Sequence, residues 1–165
     1  MEALSAAKRS VIYNYTIVDR HNNDVICLQE TCIDSDVSSR FKINGFDLIS
    51  YRLNDKHGRA LYVKSNMTDV SEQFSTTHCD VVKVGNYSTA NVYKPPSEGW
   101  DVPNLLRPLP HPAIYVGDFN SHHPDWGYGS ADTGGEQLID WASCNDPTLV
   151  HDPKQKGTFR SAHWQ

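Results

Sequence analysis

The chain has 165 residues, 38% of them hydrophobic and 21% charged, with a formal net charge of −5. This length suits one domain with a real core, over residues 1–165, and the composition is ordinary for a soluble globular protein. No stretch approaches the roughly 20 apolar residues needed to span a bilayer, no charged-then-apolar leader opens the chain, and the net negative charge speaks against nucleic-acid binding through an overall basic surface, so we expect an intracellular protein without a membrane partner.

In chain order, Leu4, Ala7, Val11, Tyr15 and Val18 recur at steps of three and four and predict an amphipathic helix, with Ser5 as its N-cap. A short apolar strand follows over residues 24–28 and ends in Gln29-Glu30-Thr31, which places a carboxylate at a strand terminus. Cys27 lies inside that strand as a small core residue, and Cys27, Cys32, Cys79 and Cys144 lack the paired short spacing of a zinc site. Phe46, Leu48 and Ser50 alternate with Asp47, Ile49 and Tyr51, and after the polar turn at residues 54–58 comes Ala60-Leu61-Tyr62-Val63, so a hairpin is expected. Residues 70–74, 80–84 and 87–93 read as further strands, with Gly85-Asn86 reversing the chain between the last two. Basic residues form small local clusters, among them Arg52, Lys56 and Arg59.

Pro95 and Pro96 stop the strand that ends at Tyr93, and Pro103, Pro108, Pro110 and Pro112 continue an irregular loop in which Trp100, Leu105 and Leu106 are its anchors. The run Ala113-Ile114-Tyr115-Val116 is then a buried strand that leads through Gly117 into Asp118-Phe119-Asn120. With strand geometry continuing through Phe119, Asp118 and Asn120 share a face; as an alternative, the same pair forms an Asx-turn. If the strand before Glu30 lies parallel and next to this one, Glu30 and Asp118 meet at one rim, where paired acids hold a divalent cation or do acid and base work. His122 and His123 are adjacent, which suits a rim loop with Trp126 better than a metal site. Thr133 with Glu136 reads as a capping box for a helix carrying Leu138, Trp141 and Ala142 and stopping near Asn145-Asp146-Pro147; strands at residues 148–151 and 156–160 close the chain.

Four ordered strings carry a resemblance across nearly the whole chain: Ile26-Cys27-Leu28-Gln29-Glu30-Thr31, Asn91-Val92-Tyr93-Lys94-Pro95-Pro96, Gly117-Asp118-Phe119-Asn120-Ser121-His122-His123-Pro124 with Trp126-Gly127, and Gly157-Thr158-Phe159-Arg160-Ser161. Together they resemble the endonuclease/exonuclease/phosphatase superfamily, and within it the endonuclease domain of non-LTR retrotransposon reverse transcriptase polyproteins. The fold this implies is α/β, a two-sheet α/β sandwich of the DNase I-like type. The sequence departs from the pattern at His57-Gly58-Arg59-Ala60, where the resemblance expects Gly-Gly-x-Ala. The pattern also has an Asn-bearing strand ahead of the first helix, and an Asp and a Ser-Asp-His beyond Gln165, so the expectation is a domain truncated at both ends; His163 is not assigned the histidine's role.

By the same resemblance, Glu30 holds the metal, Asp118 orients or deprotonates the attacking water, Asn120 contacts a phosphate oxygen or the nucleophile, Tyr93 stabilises developing charge and Thr158 lies near the site. The cofactor is Mg2+, with Mn2+ as its substitute, and no organic cofactor is implied. The activity implied is DNA phosphodiester hydrolysis in the nucleus, leaving a nick with a 3′ hydroxyl; the reverse transcriptase that would use it is a separate chain. With several site groups outside the sequence, weak or no cutting is expected. Two further readings stand beside it: a non-catalytic remnant or binding module with the same fold, and a phosphodiesterase or phosphatase acting on lipid or inositol phosphates.

Overall fold

The structure, a computed structural model, describes residues 23–31, 42–54, 57–100 and 106–148. The expected helix over residues 4–18, Cys32, Leu105 and the strand carrying Thr158 lie outside the described residues. Two compact units divide the chain, Met1–Asn120 and Ser121–Gln165.

In the first unit β1 (Val25–Gln29), β2 (Phe46–Arg52) and β3 (Arg59–Lys64) form an antiparallel sheet in the order β1-β3-β2. A second sheet takes β4 (Val70–Ser75), β5 (Cys79–Val84), β6 (Tyr87–Tyr93) and β7 (Ala113–Asp118) in sequence order, antiparallel except for the parallel pair β6–β7. The alternation along β3 decides how the sheets meet. Leu61 and Val63 join Val82 and Val84 of β5 in one core between the sheets, with Val25, Cys27 and Val70 against it. Ala60 and Tyr62 point the other way and pack with Ile43 and Phe46. A central strand buried on both faces needs this uninterrupted apolar run.

The strands expected between residues 24 and 116 are present, each within one or two residues of its expected limits, whereas the strand expected over residues 148–151 lies outside the described residues except for Thr148, and β7, expected to be buried, exposes Ile114 and Val116. One expectation is corrected: β1 and β7 are not parallel neighbours but belong to different sheets, β1 pairing antiparallel with β3 and β7 parallel with β6. The proline-rich segment is anchored as expected by buried Trp100 and Leu106. Tyr115 of β7 adds a second anchor: its hydroxyl accepts from the Leu109 N–H at 3.1 Å and donates to the Arg107 carbonyl at 3.0 Å. Burial raises that phenol above its ordinary pKa.

The second unit holds a 3-10 turn, Pro124–Trp126, and helix α1, Thr133–Asn145. The N-cap of α1 is Asp132, not Thr133. Its carboxylate accepts from the Gly135 N–H at 2.7 Å, so the helix starts at the threonine we expected to cap it. Asp132→Ala is therefore expected to lower stability by about 1 kcal/mol, measured by urea unfolding, whereas Thr133→Ala stays near wild type. The adjacent histidines diverge. His122 stacks on Tyr128 with ring centroids 4.3 Å apart, and His123 Nδ1 accepts from the Asp125 N–H at 3.2 Å, capping the 3-10 turn.

Candidate active site

One end of the two-sheet sandwich is apolar and the other is polar. At the polar end, hydrogen bonds cross from sheet to sheet where side chains would otherwise be buried without partners. Arg59 of β3 and Asp80 of β5 form a buried bidentate pair, Nε to Oδ2 at 2.6 Å and Nη2 to Oδ1 at 3.0 Å. Asn91 of β6, fully buried, donates through Nδ2 to the carbonyls of Leu28 and Ala60, each at 3.2 Å, and accepts from Gln29 Nε2 at 2.6 Å. Ser50 of β2 donates to Glu72 of β4 at 2.7 Å. This layer removes Arg59 from the basic cluster expected from the sequence, because its charge is spent inside the protein; Arg52 stays exposed and donates to the Thr76 carbonyl at 2.9 Å.

Directly beyond that layer lie the ends of β1, β6 and β7. Tyr93 is buried, and its hydroxyl donates to Glu30 Oε1 at 2.8 Å. The same hydroxyl lies 3.3 Å from His57 Nδ1. Tyr93 pairs in register with Asp118, so the two side chains leave neighbouring strands on the same face, the one that Asn91 and Tyr93 present to the first sheet. Glu30 and Tyr93 are thus brought together across two sheets, with Asp118 at the end of the strand next to that of Tyr93, rather than Glu30 and Asp118 by adjacent parallel strands.

Asn120 does not continue the strand. Its φ of 41° is left-handed, its backbone N–H bonds Asp118 Oδ1 at 3.1 Å, and its side-chain amide donates to the Lys94 carbonyl at 2.9 Å. The pair is an Asx-turn, and the turn itself ties β7 to the end of β6. Glu30 is also left-handed, at φ 52°. Two non-glycine residues at this end of the unit thus take a conformation that costs on the order of 1 kcal/mol each.

Lys94 sits next to Tyr93 but offers no cation to a ligand. Its buried Nζ donates to the Glu98 carbonyl at 3.0 Å and lies 5.9 Å from the centre of the Trp100 ring. His78 holds the same loop through Glu98 at 3.0 Å. Burial pushes the Cys27 and Cys79 thiols up to about 12, which makes them neutral core residues, as the sequence led us to expect for Cys27.

The donor set suits a hard cation held lightly. Among the described residues no group of three or more His, Cys, Asp or Glu is arranged to enclose a metal ion, so a closed zinc-type site finds no ligands there. Mg2+ commonly takes one or two carboxylates and fills its shell with water and substrate phosphate oxygens, and Glu30 provides such a carboxylate. Sequence reasoning missed two contributors, Asn91 and His57. The signals were present: a carboxamide in the middle of an apolar strand, and a histidine in place of an expected glycine.

The comparisons with known proteins fit this architecture. No helix among the described residues is long and apolar enough to cross a membrane. A search of curated proteins gives no significant match. Among solved structures the fold is similar to the "Endonuclease domain of TRAS1, a telomere-specific non-LTR retrotransposon", with a TM-score of 0.64 and 16% identity over 92% of this chain and 69% of that one. At that identity the likeness shows the fold, an α/β two-sheet sandwich of the DNase I-like type. The profile of the Endonuclease/Exonuclease/phosphatase family matches residues 12–165, nearly the entire sequence, and the chain belongs to that family.

Proposed function

We propose that the chain is a metal-dependent endonuclease domain of the non-LTR retrotransposon type, hydrolysing DNA phosphodiester bonds in the nucleus. The observation that supports this reading is the hydrogen bond from Tyr93 to Glu30 with Asp118 as the tyrosine's register partner, two carboxylates and a phenol at the ends of β1, β6 and β7. Glu30 would hold the cation, and bound Mg2+ would supply Lewis-acid stabilisation of phosphate charge. Asp118, exposed at its strand end, orients the attacking water or takes its proton. Asn120 gives one amide hydrogen to the Lys94 carbonyl, which fixes the carboxamide and aims its other N–H for a phosphate oxygen. Tyr93, whose hydroxyl donates to Glu30 in this structure, would turn that proton to developing charge on the phosphate once substrate is bound. Thr158 takes its place near the site by resemblance alone, and so does the reading of residues 1–165 as one domain working beside a separate reverse transcriptase.

Nicking of supercoiled plasmid with Mg2+ tests this. The wild-type chain is expected to nick weakly, and Glu30→Ala and Asp118→Ala are each expected to lose about 10²–10³ of that rate, the loss typical of a preorganised electrostatic group. Metal-independent cutting would overturn the metal-dependent reading, and a folded wild-type chain that does not nick would overturn the hydrolase reading and favour a non-catalytic module.

A further inference from the structure

We propose that His57 is a positioning residue of this site: its Nδ1–H donates to the Tyr93 oxygen and thereby directs the phenol's one proton onto Glu30. The argument begins with hydrogen counting. A carboxylate only accepts, so in the 2.8 Å bond between Tyr93 and Glu30 the phenol is the donor. A phenol has a single proton. At the 3.3 Å approach of His57 Nδ1 the phenol oxygen is therefore the acceptor, and the imidazole must carry its hydrogen on Nδ1. Free neutral imidazoles favour the opposite tautomer, so the arrangement is imposed by the site.

The backbone is built to deliver that ring. The His57 N–H bonds Asn54 Oδ1 at 2.9 Å, fixing the turn between β2 and β3. The next residue has to be glycine, since a Cβ on Gly58 would collide with Thr31 Oγ1 and press to 3.0 Å on the Arg52 carbonyl. Gly58 in turn accepts from the Thr31 N–H at 3.0 Å, immediately after the left-handed Glu30. One turn thus holds Glu30 twice, by its following peptide and, through His57 and Tyr93, by its carboxylate. The imidazole and phenol rings lie 5.8 Å apart with a 34° tilt, and the histidine is only half-buried. A chain of two hydrogen bonds polarises its middle member, so the donor to Glu30 is stronger with His57 present than without it.

The consequence for activity rests on the hydrolase reading above; the tautomer does not, and the two are tested separately. A long-range proton–nitrogen correlation spectrum of the isotope-labelled chain, taken under alkaline conditions where imidazoles are neutral, is expected to show His57 with its hydrogen on Nδ1. In Tyr93→Phe the signal is expected to revert towards the Nε2–H form. A wild-type His57 with its hydrogen on Nε2 overturns the proposal, whatever the chain cuts. In the plasmid assay, His57→Ala is expected to lower kcat on the order of 10–100-fold with KM for DNA unchanged. His57→Asn, which keeps an N–H near the Nδ1 position, is expected to restore most of it, and His57→Ala added to Tyr93→Phe is expected to cost nothing further. Full additivity of the two losses would mean that His57 does not act through Tyr93. If the wild type fails to nick, the hydrolase reading falls and the tautomer alone decides the role of His57.

Discussion

Asp80→Ala is expected to destabilise the chain by about 3–5 kcal/mol in urea unfolding followed by tryptophan and tyrosine fluorescence. Arg59 and Asp80 are both almost completely buried, and their two short bonds join the two sheets. Arg59 also donates to the carbonyls of Thr77 at 2.8 Å and Thr76 at 3.1 Å. Those carbonyls carry no net charge, so removing the carboxylate leaves a guanidinium in the interior without its counter-charge. The double replacement Arg59→Met with Asp80→Leu removes both charges together and is expected to recover most of the loss, because well-packed apolar residues often equal a buried ion pair. A loss below about 1 kcal/mol for Asp80→Ala would place the pair among solvated ion pairs instead. Activity is expected to fall with stability in the single variant, since Arg59 directly follows Gly58 in the turn that holds Thr31.

Gly117→Ala is expected to be at least as damaging, with a loss of more than about 4 kcal/mol or no recoverable folded chain. Gly117 pairs in register with Val92, and a Cβ built on it would overlap the Val92 carbonyl oxygen and lie 2.7 Å from the carbonyl carbon. Its φ of 152° is also one that an L side chain rarely adopts. Neither strain can be relieved without moving β7 off β6, which would separate Asp118 from Tyr93. Gly99→Ala is the control, because a Cβ there meets open space. That change is expected to stay within about 0.5 kcal/mol of wild type by the same unfolding measurement.

Taken alone, the sequence determined what is local: the strands among the described residues, whose apolar period and turn chemistry lie within a few residues, the C-terminal end of helix α1, and the positions of Glu30, Tyr93 and Asp118 at or next to strand termini. Its four ordered strings also pointed to the family that the profile match establishes. Only the tertiary structure decided how these pieces meet. Glu30 and Tyr93 are 63 residues apart in the chain and bond across two sheets, an association that no periodicity encodes. The same holds for Arg59, whose charge reads as a surface feature until Asp80 of the opposite sheet claims it. Asn120 read either as a strand residue or as part of an Asx-turn, because alternation is visible in a sequence and the left-handed φ that decides for the turn is not. His57 stood out only as a missing glycine, and its partner became known when β6 brought Tyr93 against the β2–β3 turn. Local pattern follows from the covalent spacing of side chains along one segment, whereas the site follows from which distant segments pack together, and that is settled by burial and by the need of each buried polar group for a partner.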